Sequence, residues 1–251
     1  MIADLFTLKE KKFIVTGASS GIGYETCMLI NKLGGSFIGV ARREEELNKL
    51  LQEADNCLNS IIVADLANEE AISTIVNTIP AIDGVVHSAG ITVPHTPLKF
   101  YKKEMLDQVR MINYDSIVYL LSKIVKHKKI KSNSSIVMVA SIAGLFGTKG
   151  AGIYAGSKGA LIAITKVLAS ELATSGIRVN AVAPGMVKTK MTLNTIEELS
   201  AETMKEDEKK YPLGYGNPID VAGPIVFLLS NASKWITGEI LVIDGGRTIS
   251  V

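Results

Sequence analysis

The sequence predicts an α/β fold built on one doubly wound parallel sheet of about seven strands, with helices on both faces. Three observations carry this expectation. Short apolar, β-branched runs alternate with helical stretches along most of the chain, as strands buried on both faces do. A glycine-rich turn directly follows the first of those runs, where sheets of this kind bind their ligands. No Pro/Ser-rich linker and no internal repeat breaks the rhythm, so residues 1–251 are expected to form a single domain.

The first strand is expected at Phe13-Ile14-Val15, followed by a helix over Ile22–Leu33 and a second strand over Ser36–Val40. Glu44–Ala54 reads as a helix, Ile61-Ile62-Val63 as a strand and Glu69–Ile79 as a helix. Gly84-Val85-Val86, Ile136–Ala140, Ile177–Val182 and Ile240–Ile243 complete the strands. Two long helical stretches, Lys102–Lys126 and Ile153–Thr174, lie between them, and a further helix begins near Pro218. The basic run from Lys126 to Lys131 reads as a solvated helix C-terminus, where cations are favoured. The charged segment from Met191 to Leu213 departs from the pattern. It falls where a ligand would lie, beyond the carboxyl ends of the strands, and is expected to cover the substrate.

Composition excludes several classes of protein. Hydrophobic residues at 47% and charged residues at 21% are ample for a sizeable core and far from a disordered composition. A net charge of +2 gives little support for a nucleic-acid partner, which would need a concentrated basic face. No signal leader is expected from the opening residues, and the longest apolar runs are too short to span a bilayer. Cys27 and Cys57 match neither a metal spacing nor a disulfide framework. A soluble cytoplasmic protein without a metal or a membrane partner is expected.

Thr16-Gly17-Ala18-Ser19-Ser20-Gly21-Ile22-Gly23 is the glycine-rich turn. Glycines admit positive φ and let backbone N–H groups approach a pyrophosphate, while the following helix points its positive end at the phosphates. The spacing is Gly-x3-Gly-x-Gly, not the usual dinucleotide fingerprint, so position carries more weight than pattern. After the second strand comes Val40-Ala41-Arg42-Arg43. A carboxylate there would accept from a ribose 2′-OH, whereas arginine matches a 2′-phosphate, so NADP(H) is favoured over NAD(H). Whether Arg43 shares the phosphate with Arg42 is open.

Tyr154 and Lys158 stand at i and i+4, on one face of a helix. An ordinary tyrosine has a pKa of ~10, too high for a base at neutral pH, and a neighbouring ammonium is expected to lower it. Ser141 follows the strand Ile136–Ala140, at its carboxyl end.

The turn at Gly17, Gly21 and Gly23 and the residues Ser141, Tyr154, Lys158 and Pro184-Gly185 resemble the short-chain dehydrogenase/reductase family. The resemblance is to its ~250-residue 3-oxoacyl-carrier-protein reductase-like carbonyl reductases and extends to the ending Asp244-Gly245-Gly246. It implies a Rossmann-like fold and hydride transfer between NADP(H) and a carbonyl/secondary-alcohol pair, with a 3-oxoacyl thioester among the substrates. It also implies a catalytic tetrad of Asn113, Ser141, Tyr154 and Lys158. Tyr154 would protonate the substrate oxygen, Ser141 would hydrogen-bond it, Lys158 would hold the nicotinamide ribose, and Asn113 would position a relay water.

The same resemblance makes Gly17, Ser19, Ser20, Gly21, Ile22, Gly23, Arg42 and Arg43 cofactor contacts, with Asp65 and Leu66 at the adenine. Ser88, Ala89 and Gly90 would line the ribose, and Pro184, Gly185, Val187 and Thr189 would orient the nicotinamide carboxamide. It further implies a homotetramer. Substrate-pocket candidates are Ile91, Thr92, Val93, Pro94, Leu145, Phe146, Met186, Met191 and Leu193. Rival readings are an NAD-linked sugar or hydroxysteroid dehydrogenase and a non-catalytic dinucleotide sensor. One motif departs from the family: His87-Ser88-Ala89-Gly90 stands for Asn-Asn-Ala-Gly. His87 is expected to act as a structural tether in place of asparagine. Gly156, inside the Tyr154 helix, is expected to allow close packing.

Overall fold

The structure, a computed structural model, describes residues 2–189, 192 and 201–249. Seven strands form one sheet in the order β3-β2-β1-β4-β5-β6-β7. They are β1 (Lys12–Thr16), β2 (Ser36–Ala41), β3 (Ser60–Val63), β4 (Ile82–His87), β5 (Ile130–Val139), β6 (Arg178–Pro184) and β7 (Ile240–Ile243). Every neighbouring pair is parallel, as continuous apolar runs joined by helical crossovers require.

The helices are α1 (Ile2–Phe6), α2 (Gly21–Lys32), α3 (Glu44–Glu53), α4 (Glu69–Thr78), α5 (Lys103–Arg110), α6 (Ser116–Lys126), α7 (Gly152–Leu172), α8 (Ala201–Glu208) and α9 (Pro218–Leu229). Alternation along the strands divides the core into two layers. Phe13 and Val15 of β1, with Val137 and Val139 of β5, pack under α2, α3 and α9. Ile14, Ile136 and Met138 face the other way, onto α4, α6 and α7. Helix starts are set locally. The Asn68 side chain accepts from Glu70 N at 2.8 Å and Ala71 N at 3.2 Å to cap α4. Asn217 and Asp220 form a capping box ahead of α9, with Pro218 at its first position.

Three expectations change. The long helix over Lys102–Lys126 is two α-helices joined by a π-turn at Met111–Asp115. The basic run does end a helix at Lys126, but Ile130 and Lys131 already belong to β5, where Lys131 Nζ pairs with Asp83 at 2.8 Å. Gly156 packs against nothing, since a Cβ there would meet no atom within 4 Å. Of the segment expected to cover the substrate, the described part includes α8 and Tyr211, which cluster with Tyr215 on Met186 just past β6. Met191 and Leu193 lie outside the described residues. No helix among the described residues is long and apolar enough to cross a membrane.

Candidate active site

The strand order places β1 beside β4, so the chain leaves the two strands in opposite directions and opens a crevice at their carboxyl ends. The loops that line it touch closely. Gly17 has φ +69°, and a Cβ there would stand 2.7 Å from Ala89 N and 2.8 Å from the Ser88 carbonyl carbon. Only glycine satisfies both the left-handed backbone and that approach. The turn then delivers its chain to the start of α2, whose N-cap Ser20 makes no side-chain cap bond and whose first turn carries no acid. The amino end of α2 therefore keeps its affinity for an anion.

Arg42 and Arg43 diverge after β2. Arg43 turns inward, donating through Nη2 to Ser19 Oγ at 2.9 Å and to Ser20 Oγ at 2.7 Å. Arg42 points outward, its side chain 65% exposed and 3.9 Å from the Asp65 carboxylate. Asp65 also accepts from Ala67 N at 3.0 Å. Arg42, Asp65, Ala67, Ile91, Gln108, Met111 and Ile112 line one cleft. Ile91, expected at the substrate, therefore lies on the nucleotide side of the crevice. The Leu66 side chain is buried in the core, leaving only its backbone for a ligand. A glycine cradle, an uncapped helix start and a guanidinium beside two hydroxyls fit a phosphorylated dinucleotide.

The expected tetrad converges on the far side. Ser141 caps the short 3-10 turn Ile142–Gly144, accepting from Ala143 N at 3.1 Å, and donates to the Pro184 carbonyl at 3.5 Å. This turn lies directly on α7, for a Cβ on Gly144 would stand 2.7 Å from Gly159 N. That contact brings Ser141 to the helix bearing Tyr154 and Lys158. Lys158 is 4% exposed, donates through Nζ to the Val139 carbonyl at 2.8 Å and lies 5.6 Å from the Tyr154 ring centroid. Asn113, inside the π-turn, donates through Nδ2 to the Ile91 carbonyl at 2.9 Å and to Ser157 Oγ at 3.0 Å. Its Oδ1 accepts from Ile91 N at 2.8 Å. Asn113 and Lys158 both reach Gly90, where a Cβ would lie 3.4 Å from Asn113 Oδ1 and from Lys158 Nζ.

Thr189 and Val187 lie across the crevice. The Thr189 methyl would come within 3.1 Å of a Cβ on Gly21, which ties the loop after β6 to the glycine-rich turn. Val187 bridges to Gly216, and Lys188 N donates to the Gly216 carbonyl at 2.9 Å. Gly185 lies against Tyr211 and Asp244.

Burial sets the titration of the site. The Tyr154 phenol is pushed up to about 12 by burial, with the Ser141 hydroxyl opposing the rise. The expected lowering by Lys158 is absent here, because the ammonium turns to the Val139 carbonyl and not to the phenol. Lys158 itself is pushed down to about 8 by burial. His87 is pushed down to about 3 by burial and by the charge of Lys158. Among the described residues no group of three or more His, Cys, Asp or Glu is placed to hold a metal.

Two polar contributors escaped the sequence reading. Ser157 joins Asn113 to the Tyr154 carbonyl, and Thr16 bonds the ring of His87. Both lie within or beside quoted motifs, but nothing in their spacing marks them.

A family model described as enoyl-(acyl carrier protein) reductase matches residues 17–248. A 3-oxoacyl-[acyl-carrier-protein] reductase of Rickettsia prowazekii is 38% identical over 243 residues, covering 96% of this chain and 98% of that protein. A reductase of the same description from Thermotoga maritima is 35% identical over 249 residues, covering 96% of this chain and 99% of its own. A solved structure assigned as an NAD(P)-dependent gluconate 5-dehydrogenase of Beutenbergia cavernae, with NADP at low occupancy, superposes with a TM-score of 0.88. It is 30% identical and covers 98% of this chain and 100% of its own. With likeness running from end to end of both partners, the chain belongs to the short-chain dehydrogenase/reductase family.

Proposed function

We propose that this protein is an NADP(H)-dependent carbonyl reductase acting on a 3-oxoacyl thioester, with Asn113, Ser141, Tyr154 and Lys158 as its catalytic residues. The observation that carries the reading is the meeting of Ser141, Tyr154 and Lys158 with the glycine-rich turn at the carboxyl ends of the central strands.

When bound, NADPH supplies the hydride. The amides of the turn Gly17 to Gly23, with Ser19, Ser20, Gly21 and Ile22, would hold its pyrophosphate. Arg43, with Arg42 beside it, would take the 2′-phosphate, and Asp65 with the Leu66 backbone the adenine. Ser88, Ala89 and Gly90 would line the ribose, and Pro184, Gly185, Val187 and Thr189 the carboxamide. Reduction places one hydride on the carbonyl carbon and one proton on its oxygen. Tyr154 Oη–H donates that proton, and Ser141 Oγ–H donates a hydrogen bond to the oxygen as charge develops. A phenol pushed up to about 12 stays protonated at neutrality, so Tyr154 carries the proton that reduction consumes. Lys158, pushed down to about 8, is close enough to neutrality to return a proton to Tyr154 after turnover. The substrate side is formed by Leu145, Phe146 and Met186 under the segment around α8. Exposed Trp235, Val242 and Ile249 near the end of the chain support a homotetramer. The free thiols Cys27 and Cys57 support a cytoplasmic location.

A second reading, oxidation of a sugar acid, draws on the gluconate dehydrogenase likeness. One screen separates the two, and tests carbon–carbon double-bond reduction alongside. NADPH oxidation is followed with acetoacetyl thioester, crotonyl thioester and keto-sugars. Acetoacetyl thioester is expected to be turned over fastest, and a preference for either of the other substrates would overturn the assignment.

Burial of Lys158 also makes a stability prediction. Its pKa in the folded chain lies below the ordinary 10.5, so between about pH 8 and 10.5 the unfolded chain binds more protons. Stability therefore rises with pH across that window, and the cost of burying the ammonium is greatest below it. Lys158→Met is expected to be inactive yet more stable at pH 7 by about 2 kcal/mol, after allowing for the lost bond to Val139. Thermal melts of both proteins at pH 7 and pH 10 check this. The gap should shrink at the higher pH, and a variant less stable at pH 7 would contradict the argument.

A further inference from the structure

His87 ends β4 and is fully buried, opposite Thr16 in the β1–β4 register. Both of its ring nitrogens are engaged. Nδ1 lies 2.9 Å from Thr16 Oγ1, and Nε2 lies 3.3 Å from the Asn113 main-chain oxygen. A carbonyl only accepts, so Nε2 carries the hydrogen. The imidazole is neutral at working pH, so Nδ1 is a lone pair that accepts from the Thr16 hydroxyl. Thr16 Oγ1 in turn accepts from Ala89 N at 3.2 Å. Every proton in this chain has one consistent direction.

The acceptor explains why a histidine stands here. Asn113 lies in the π-turn Met111–Asp115, where the wider i→i+5 turn throws carbonyls out of the α-helical ladder. The Ile112 carbonyl is taken by Ser116 Oγ at 2.8 Å, and the Asn113 carbonyl accepts from His87. From Asn113 the network continues through Nδ2 to Ser157 Oγ, which donates to the Tyr154 carbonyl at 2.7 Å. An asparagine amide at position 87 would stop near the Nδ1 position and fall short of Asn113.

We propose that His87 is a positioning residue for the reaction: through Nε2–H it fixes the π-turn carbonyl of Asn113, and through Asn113 and Ser157 the first turn of α7 that bears Tyr154. This deepens the reductase reading and rests on its assignment of Asn113 and Tyr154. It differs from a plain strand tether, which would stabilise the fold and leave turnover alone. A misplacement of the proton donor by a fraction of an ångström falls on turnover more than on nucleotide binding.

The test compares His87→Asn, His87→Gln, Asn113→Ala and the His87→Asn/Asn113→Ala double variant, each with kcat, KM for NADPH and melting temperature. Glutamine places its amide N–H near the Nε2 position, whereas asparagine serves only Thr16. His87→Asn is expected to lower kcat about tenfold with KM for NADPH within about twofold, and His87→Gln to recover most of the loss. The double variant is expected to be no slower than Asn113→Ala alone, since both act through one group. A His87→Asn enzyme that melts lower but keeps its kcat would overturn the proposal, as would additive losses or equal losses in Asn and Gln variants. An Asn113→Ala enzyme with unchanged kcat would sink the tetrad assignment itself, and this proposal with it.

Discussion

Tyr154→Phe is expected to cut turnover by about two to four orders of magnitude, the usual contribution of a general acid. The substitution keeps the ring and removes the only transferable proton of the side chain. The backbone is expected to hold, because the carbonyl of residue 154 still accepts from Ser157 Oγ. Loss should therefore appear in kcat at saturating NADPH, with nucleotide affinity changed by less than about twofold. The phenol, pushed up to about 12, holds its proton across the working range, so little phenolate is present to act as a base without added positive charge nearby. The oxidation direction is accordingly expected to speed up with rising pH more than the reduction direction does. Steady-state rates in both directions from pH 6 to 10 check the two points together. A purified Phe variant retaining more than about a tenth of wild-type turnover would remove Tyr154 from the mechanism.

Cofactor choice is the second large effect, and we infer that Arg43 carries more of it than Arg42. Arg43 already holds its guanidinium against Ser19 and Ser20, beside the amino end of α2, while Arg42 reaches outward to Asp65. A charge-assisted contact to a phosphate is worth about 1.5–3 kcal/mol. Arg43→Ala is thus expected to weaken NADPH by about ten- to a hundredfold and to leave NADH nearly unchanged. Arg42→Ala should have a smaller effect of the same sign. Adding Ala41→Asp to Arg43→Ala should favour the free 2′-OH of NADH and reverse the preference. The measurement is the ratio of kcat/KM for the two cofactors in wild type and each variant. A ratio unmoved by losing both arginines, or a wild type preferring NADH, would refute the assignment.

These two cases show what was legible in the residues and what was not. The sheet was readable because strands buried on both faces must be apolar at every position, and Phe13-Ile14-Val15 or Ile136–Ala140 have no other plausible use. The Tyr154–Lys158 pair was readable as one helical face, yet spacing alone did not reveal that Lys158 would turn to Val139. The division between Arg42 and Arg43 was hidden because two adjacent long, flexible side chains before a helix carry no mark in the sequence of which one turns inward. The π-turn was hidden more deeply. Apolar periodicity continues through Met111 and Ile112 with a single added residue, which period counting absorbs without a trace. Ser157 and Thr16 are polar residues that each bond a partner on another element, Asn113 and His87, 44 and 71 residues away.

The adjacency of β1 and β4 has a consequence for how the chain acquires its fold. Phe13 pairs with Gly84 and Thr16 with His87, so the centre of the sheet joins segments that are distant along the chain. Until β4 arrives, β1 is an edge, and its apolar backbone is available to any strand that meets it. During synthesis β1, β2 and β3 emerge first and can associate, but the junction with β4 must wait and bears the loop-closure entropy. Folding should therefore be slower than for a helical protein of equal size, and the nascent half should depend on chaperones or speed to escape aggregation. In native-state hydrogen exchange the amides of β1 and β4 are expected to be released together, and last, because neither strand can open without the other.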